Sequence, residues 1–407
     1  MAVGVLCAVQ GPAETLVVRA VDGTAHLAVT RRCADVVELL AAAQAGLGRL
    51  ALVSAGLDRV DGETVVELHR AGLRVVGLAE PGRSGPGDRL TACGADLVVT
   101  EPGDADAAEE LAHRLIALIR TPDRTPAPPA EVAPQPAGAR GRLVAVWGPA
   151  GAPGRTTVAV NLAAELAALG HSSLVVDADT YGGAVAQVIG LLDEAPGIAA
   201  ATRAATQGGL DAAGLGRLAL PVLRGLRALT GISRPDRWPE LSATALDVVW
   251  TVARSLAEWT VVDTGFCLER DEALSYDTPA PRRNAATLSA LAAADVVLVV
   301  GAGDAVGLAR LVRGLTELAE VGSSACRLVV VNRVRAAALG GDPQRAVADA
   351  LARYASVGEV FVVPDDRPGC DAALLAGRTL REQVPASPAR RAIAGLAARL
   401  AQGVSVG

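Results

Sequence analysis

The chain has 407 residues, 51% of them apolar, a net charge of −6 and six cysteines. That length accommodates two domains with sizeable cores, and the acidic balance disfavours a general nucleic-acid binder. No charge-free apolar run reaches the roughly 18 residues of a membrane span, and MAVGVLCAVQG lacks a basic segment and a cleavage site, so a cytoplasmic protein opening on a strand is expected.

Cys7, Cys33, Cys93, Cys267, Cys326 and Cys370 are scattered without a C-x-x-C pair, as for buried thiols in a reducing compartment. All 38 basic residues are arginine. Together with the abundance of Ala and Gly, this reads as the codon bias of a GC-rich genome. An Arg where a motif expects Lys is therefore weak evidence of deliberate choice.

Residues 1–120 alternate strand-like and helix-like segments. GVLCAVQ and HLAVTRRC read as strands, ADVVELLAAAQAG as a helix capped by Gly46, and RLALVSAGL as a third strand. ETVVELHRAG, LRVVGLAE, ADLVVTEP and DADAAEELAHRLIALIR continue the pattern. About five βα units imply a doubly wound parallel sheet of flavodoxin or receiver type. A working receiver needs an acidic pair after strand one, an Asp ending strand three and a Lys after strand five. Here those places fall at Gln10, at Val53-Ser54-Ala55 and at Thr100-Glu101. The domain thus reads as a pseudo-receiver serving protein interaction, and Asp58 as a loop or cap residue.

TPDRTPAPPAEVAPQPAGARG, residues 121–141, is a Pro/Ala-rich extended linker. From 142 to 407 the strands return, and a second doubly wound parallel sheet is expected. Leu143–Trp147 is apolar without alternation, as in a strand covered on both faces. Gly148-Pro-Ala-Gly-Ala-Pro-Gly-Arg-Thr-Thr157 follows and opens a helix near Thr156. SSLVVDAD then completes a βαβ unit of about 30 residues. ATALDVVWTVARSLAE is helical, with Leu246, Val249, Trp250 and Ala253 on one stripe. WTVVDTG, AADVVLVVGAGD, CRLVVVNRVR and EVFVVPDDRPG are buried strands, and two C-terminal helices are expected after them.

In such sheets ligands bind beyond the carboxyl ends of the strands. The strand ends here carry the loop 148–157, Asp177 and Asp179, Asp263, and Asn332-Arg333. A glycine-rich turn leading into a helix aims backbone N–H groups at phosphates, and a Thr at the helix start can offer its hydroxyl to Mg²⁺. The fit to G-x-x-x-x-G-K-[ST] is incomplete. Pro149 stands where the first glycine belongs, and Arg155 stands for the lysine. Each Asp alone could cap a helix. Three in order after the loop argue for a nucleotide site.

The motifs GRTTVAVNLA, LVVDAD, TVVDTG, VVVNRV and VVPDD resemble the MinD/ParA branch of P-loop ATPases. The receiver-like domain before them narrows the resemblance to CpaE/TadZ-like and actinobacterial septum-site-determining proteins. The resemblance implies that Gly148, Gly151, Gly154, Arg155, Thr156 and Thr157 hold ATP phosphates. It implies Mg²⁺ at Thr156 and Asp263, with Asp263 as the Walker B carboxylate. Asp179, with Asp177 before it, would orient the attacking water. Asn332, with Arg333, would read the adenine edge, and Pro364 would lie near the base. Family members form ATP-sandwiched homodimers, in which a signature lysine reaches across to the partner's phosphates. That position falls on Ala150.

The resemblance thus implies ATP binding with weak or absent hydrolysis, because positive groups stabilise the charge that develops in phosphoryl transfer. Arg282-Arg283 is the nearest alternative source of charge, or else a solvated helix start. The implied role is nucleotide-dependent positioning of septum, pole or pilus/secretion machinery, with the N-terminal domain docking the protein partner. One alternative is a ParA-type chromosome-partitioning ATPase that binds DNA as an ATP dimer. Another is a non-enzymatic scaffold with a vestigial P-loop. SPARRAIAGLAARLAQGVSVG presents Ile393, Leu396 and Leu400 on one face. Core packing is the expected use of that face, and peripheral membrane contact the alternative.

Overall fold

The computed structural model describes residues 2–11, 13–57, 60, 62–79, 90, 91, 93–120, 140–151, 154–191, 196–270 and 281–402. Asp58 and linker residues 121–139 lie outside that set. The chain divides into two compact units, residues 1–138 with 204–209 and residues 139–203 with 210–407.

The first unit contains β1 (Val3–Ala8), β2 (Leu27–Arg32), β3 (Leu50–Ser54), β4 (Arg74–Ala79) and β5 (Leu97–Thr100). They pair in parallel in the order β2-β1-β3-β4-β5, the flavodoxin-type doubly wound order. Its helices are α1 (Ala13–Asp22), α2 (Val36–Gln44), α3 (Gly62–Arg70) and α4 (Ala105–Arg120). Strand alternation builds one core on each face of the sheet. Val5 and Cys7 pack with Val17 and Val21 of α1 and Leu111 and Leu115 of α4. Leu6 and Ala8 pack with Leu39 of α2 and Leu68 of α3. Helix α1 is an addition to the sequence reading, which ran from the first strand to the second without it.

The second unit is an eight-stranded sheet in the order β13-β12-β11-β6-β10-β7-β9-β8. The strands are β6 (Arg142–Trp147), β7 (Ser173–Ala178), β8 (Leu220–Leu223), β9 (Leu226–Leu229), β10 (Trp259–Thr264), β11 (Val296–Ala302), β12 (Cys326–Val334) and β13 (Val360–Pro364). All neighbours are parallel except β8 and β9. This corrects the expectation of a wholly parallel sheet. The two-residue connection Arg224-Gly225 is far too short for a parallel crossover and forces a hairpin.

Its principal helices are α5 (Arg155–Ala168), α6 (Ala243–Leu256), α7 (Ala285–Ala293), α8 (Ala305–Val321), α9 (Pro343–Ala355), α10 (Arg367–Ala376), α11 (Leu380–Gln383) and α12 (Pro388–Ala401). The last three replace the two C-terminal helices expected. Val144 and Val146 of the central strand β6 face α5, which is buried without a break from Val158 to Ala167. Helix α12 closes the same core with Ile393, Leu396 and Leu400. That apolar face is packed inside the unit, so it is not offered to a membrane, which corrects the alternative reading of this helix. Among the described residues no helix is long and apolar enough to cross a membrane.

Candidate functional site

The loop after β6 turns at two glycines. Gly151 has φ +72° and Gly154 φ +93°, a region that L-residues with a Cβ avoid. Each is also short of room. A Cβ on Gly151 would collide with Nη1 of Arg310, and one on Gly154 with Nδ2 of Asn332. Gly154 is the N-cap of α5 and supplies no side-chain cap. The first-turn N–H groups of α5 therefore keep their partial positive charge for an anion. Ala150 is exposed and brings no charge.

Strand β10 lies next to β6, and β7 next to β10, and together they bring three carboxylates behind this turn. Thr156 Oγ1, on the first turn of α5, donates to Asp263 Oδ2 at 2.6 Å. Asp263 is fully buried, and its Oδ1 has no hydrogen-bond partner. Burial, then the nearby Asp177 carboxylate, raise the Asp263 carboxyl well above the usual range, while the Thr156 hydroxyl opposes this. Asp177 accepts from the N–H groups of Val185 at 3.0 Å and Asp179 at 3.2 Å. Burial pushes its carboxyl up to about 6 against the pull of those two N–H groups.

Arg155 turns back towards the strand ends. Its Nη1 donates to the Gly148 carbonyl at 3.1 Å, and its Nη2 to Asp179 Oδ2 at 3.2 Å. Asp179 Oδ1 meanwhile accepts from the N–H groups of Tyr181 at 2.9 Å and Gly182 at 3.2 Å. Thr157 follows on the same turn, its carbonyl accepting from Asn161 Nδ2 at 2.8 Å.

Asn332 ends the part of β12 that pairs with β11. Its amide lies against Gly154, so the structure places it at the glycine turn after β6 and not out towards Pro364. Arg333 is exposed at φ +58°, where the β12–β13 register shifts, and Pro364 pairs with Val334 just beyond. The fold thus brings together Gly148, Gly151, Gly154, Arg155, Thr156, Thr157, Asp177, Asp179, Asp263 and Asn332. Arg333 and Pro364 stand further along the same edge.

Sequence reasoning missed the stitching between the segments after β7 and β10. Tyr181 Oη donates to Asn284 Oδ1 at 2.8 Å, and Thr180 Oγ1 to the Arg283 carbonyl at 3.1 Å. The Arg283 guanidinium lies 4.2 Å from the centre of the Tyr181 ring, a cation–π contact. Arg283 is thus held at the Tyr181 turn, and its Nε is buried without a partner. Thr287 Oγ1 is also buried and unpartnered, near Gly265 and Asp179. Buried groups left unsatisfied at strand ends are what a bound ligand or water satisfies. These contacts join short polar residues across more than 100 positions, and no local pattern announces them.

In the first unit, Ser54 Oγ at the end of β3 donates to Glu101 Oε1 beyond β5 at 2.6 Å. The two strand-end positions singled out from the sequence are thus spent on each other.

Among the described residues no cluster of three or more His, Cys, Asp or Glu side chains is arranged to hold a metal. A cation here would rest on Thr156, Asp263 and ligand oxygens. The hydroxyl, the adjoining carboxylate and the orphaned Oδ1 of Asp263 suit Mg²⁺, a hard oxygen-seeking ion that keeps several waters.

No family model matches the chain, and no curated protein sequence matches it. Solved structures do. A ParA family ATPase from Chlorobium tepidum TLS shares 15% identity, over 63% of this chain and 98% of that one, with a TM-score of 0.52. The cell division ATPase MinD of Pyrococcus furiosus shares 20%, over 65% of this chain and 100% of that one, with a TM-score of 0.50. The septum site-determining protein MinD of Pyrococcus horikoshii OT3, solved with Mg-ADP, shares 18%, over 64% and 95%, also at 0.50. At these identities the likeness establishes the fold of the matched two thirds of the chain, which is that of the MinD/ParA ATPases.

Proposed function

We propose that the protein is a nucleotide-dependent positioning protein of CpaE/TadZ type, which binds ATP with Mg²⁺ and dimerises on doing so. The observation that carries this reading is the 2.6 Å hydrogen bond from Thr156 to Asp263 directly behind a glycine turn that opens a buried helix. A hydroxyl and a carboxylate joined at that point are the pair that Mg²⁺-nucleotide binding requires. The MinD of P. horikoshii, with the same fold, was solved with Mg-ADP.

On this reading residues 142–407 are the nucleotide-binding domain. Gly151, Gly154 and the first turn of α5 receive the phosphates, and Thr156 with Asp263 holds the metal. When bound, Mg²⁺ neutralises phosphate charge. Asp179 anchors Arg155 and, on nucleotide binding, orients water at the phosphates. Arg155 replaces the loop lysine, Ala150 the signature lysine, and hydrolysis is correspondingly weak. Residues 1–120 form a receiver-like docking domain for a protein partner at the pole, septum or secretion machinery. The Ser54–Glu101 hydrogen bond in place of a phosphoacceptor favours docking over phosphotransfer.

The test is thermal denaturation and sedimentation of the full chain with Mg-ATP, Mg-ADP or EDTA. A bound nucleotide at about 100 times its Kd adds roughly 2.7 kcal/mol of stability. The expected result is a rise in Tm and an ATP-dependent dimer, both reduced in Thr156→Ala. Failure of every nucleotide to raise Tm overturns the reading. Turnover at the rates of lysine-containing relatives overturns the weak-hydrolysis part alone.

A further inference from the structure

We infer that Arg310 of α8 supplies the second positive charge on the nucleotide phosphates, in cis, in place of the lysine that the loop lacks. The inference rests on the nucleotide-binding reading above.

Strand β11 pairs directly with β6, so the helix that follows β11 runs beside the loop that follows β6. One face of α8, at positions 307, 310, 311 and 314, meets this region. Gly307 sits so close to Ala302 that a Cβ would stand 2.5 Å from its carbonyl oxygen. Leu311 is fully buried and fills the space over Gly301. At Gly314 a Cβ would stand 3.0 Å from Cβ of Pro149 and 3.2 Å from Cη2 of Trp147. The helix is thereby fixed flush against the loop, and Pro149, the departure from the glycine template, is one of its seats.

Arg310 lies between these anchors on the same face. Its guanidinium rests on Gly151, in the groove it lines with Pro149 and Ala150. The side chain is largely exposed, and among the described residues it has no carboxylate partner. A cation held against this glycine turn, with no carboxylate partner among the described residues, is placed to meet an anion there. Arg155 is engaged elsewhere, by Asp179 and the Gly148 carbonyl. A planar guanidinium can bind two phosphate oxygens at once. The ligand class is a nucleoside di- or triphosphate, recognised through its phosphate chain.

The experiment is calorimetric titration of the full chain with Mg-ATP and Mg-ADP, comparing wild type with R310A, R310K and R313A. R310A should weaken both ligands by about 10-fold or more, the size of one charge-assisted hydrogen bond. R310K should recover part of that loss, R313A should bind as wild type, and the ligand-free Tm of R310A should be unchanged. If R310A binds as tightly as wild type, or more tightly, the role of Arg310 is overturned while the nucleotide site stands. If wild type binds neither ligand, both readings fall.

Discussion

Arg155 and Asp179 form an ion pair from which solvent is nearly excluded, the guanidinium 3.2 Å from the carboxylate, with side chains 14% and 7% exposed. The residue at the motif's lysine position is thus held by a strand-end carboxylate before any ligand arrives. Removing one member of such a pair leaves the other charge buried. Asp179→Ala should lower the unfolding free energy by about 3 kcal/mol. Asp179→Asn keeps an acceptor for the N–H groups of Tyr181 and Gly182 and should cost less. Urea denaturation of the two variants checks the order. Equal losses would mean that the acceptor for the Tyr181 and Gly182 N–H groups contributes little and that the lost charge accounts for the whole effect.

Glu165, on α5, is 4% exposed and accepts two hydrogen bonds from Arg390 of α12, at 2.7 and 2.8 Å, and one from Arg381 at 3.1 Å. Glu165→Ala should therefore destabilise by roughly 3–5 kcal/mol. Replacing both partners in Glu165→Met/Arg390→Met should recover most of that, since a buried pair often exchanges for apolar packing at little net cost. Chemical denaturation of the single and double variants measures it. Additive losses would contradict the pairing.

Burial pushes the Cys7 thiol up to about 11, with the Val9 N–H opposing, and raises Cys33 to about 11 as well, with the Glu38 charge adding to the effect. Folding favours the protonated thiols. Their contribution to stability is complete below pH 9.0 and is lost as the pH climbs through about 11. At pH 8 iodoacetamide should therefore label the partly exposed Cys267 and Cys326 and leave Cys7 and Cys33 unlabelled until the protein is denatured. Peptide mass spectrometry of the labelled chain reads this directly. Native labelling of Cys7 at pH 8 would contradict its burial.

Much of the second sheet was legible because its strands are buried on both faces and read as unbroken apolar runs, as at Leu143–Trp147 and Val296–Ala302. The carboxylates fell into place for the same reason, since a polar residue that ends such a run sits at the strand end. LRALTG reads as a short strand and is β9, but β8 and its hairpin escaped notice because β8 is only four residues long and holds Pro221. The short amphipathic α1 went unseen beside the strong strand signals that flank it. Arg310 could not be found from sequence. It stands more than 150 positions from the loop, and only the pairing of β11 with β6 brings it there. The tie of Arg155 to Asp179 is equally invisible, because it depends on where β7 delivers Asp179.

The hairpin strand β8 has a consequence for how copies of the chain can join. It forms one margin of the eight-stranded sheet, and Pro221 within it has no N–H to offer a neighbour. A second copy that tried to lengthen the sheet on that side would meet four residues and a missing donor. Growth by strand addition is thereby blunted along this margin, which protects a Val-rich sheet from edge-to-edge aggregation.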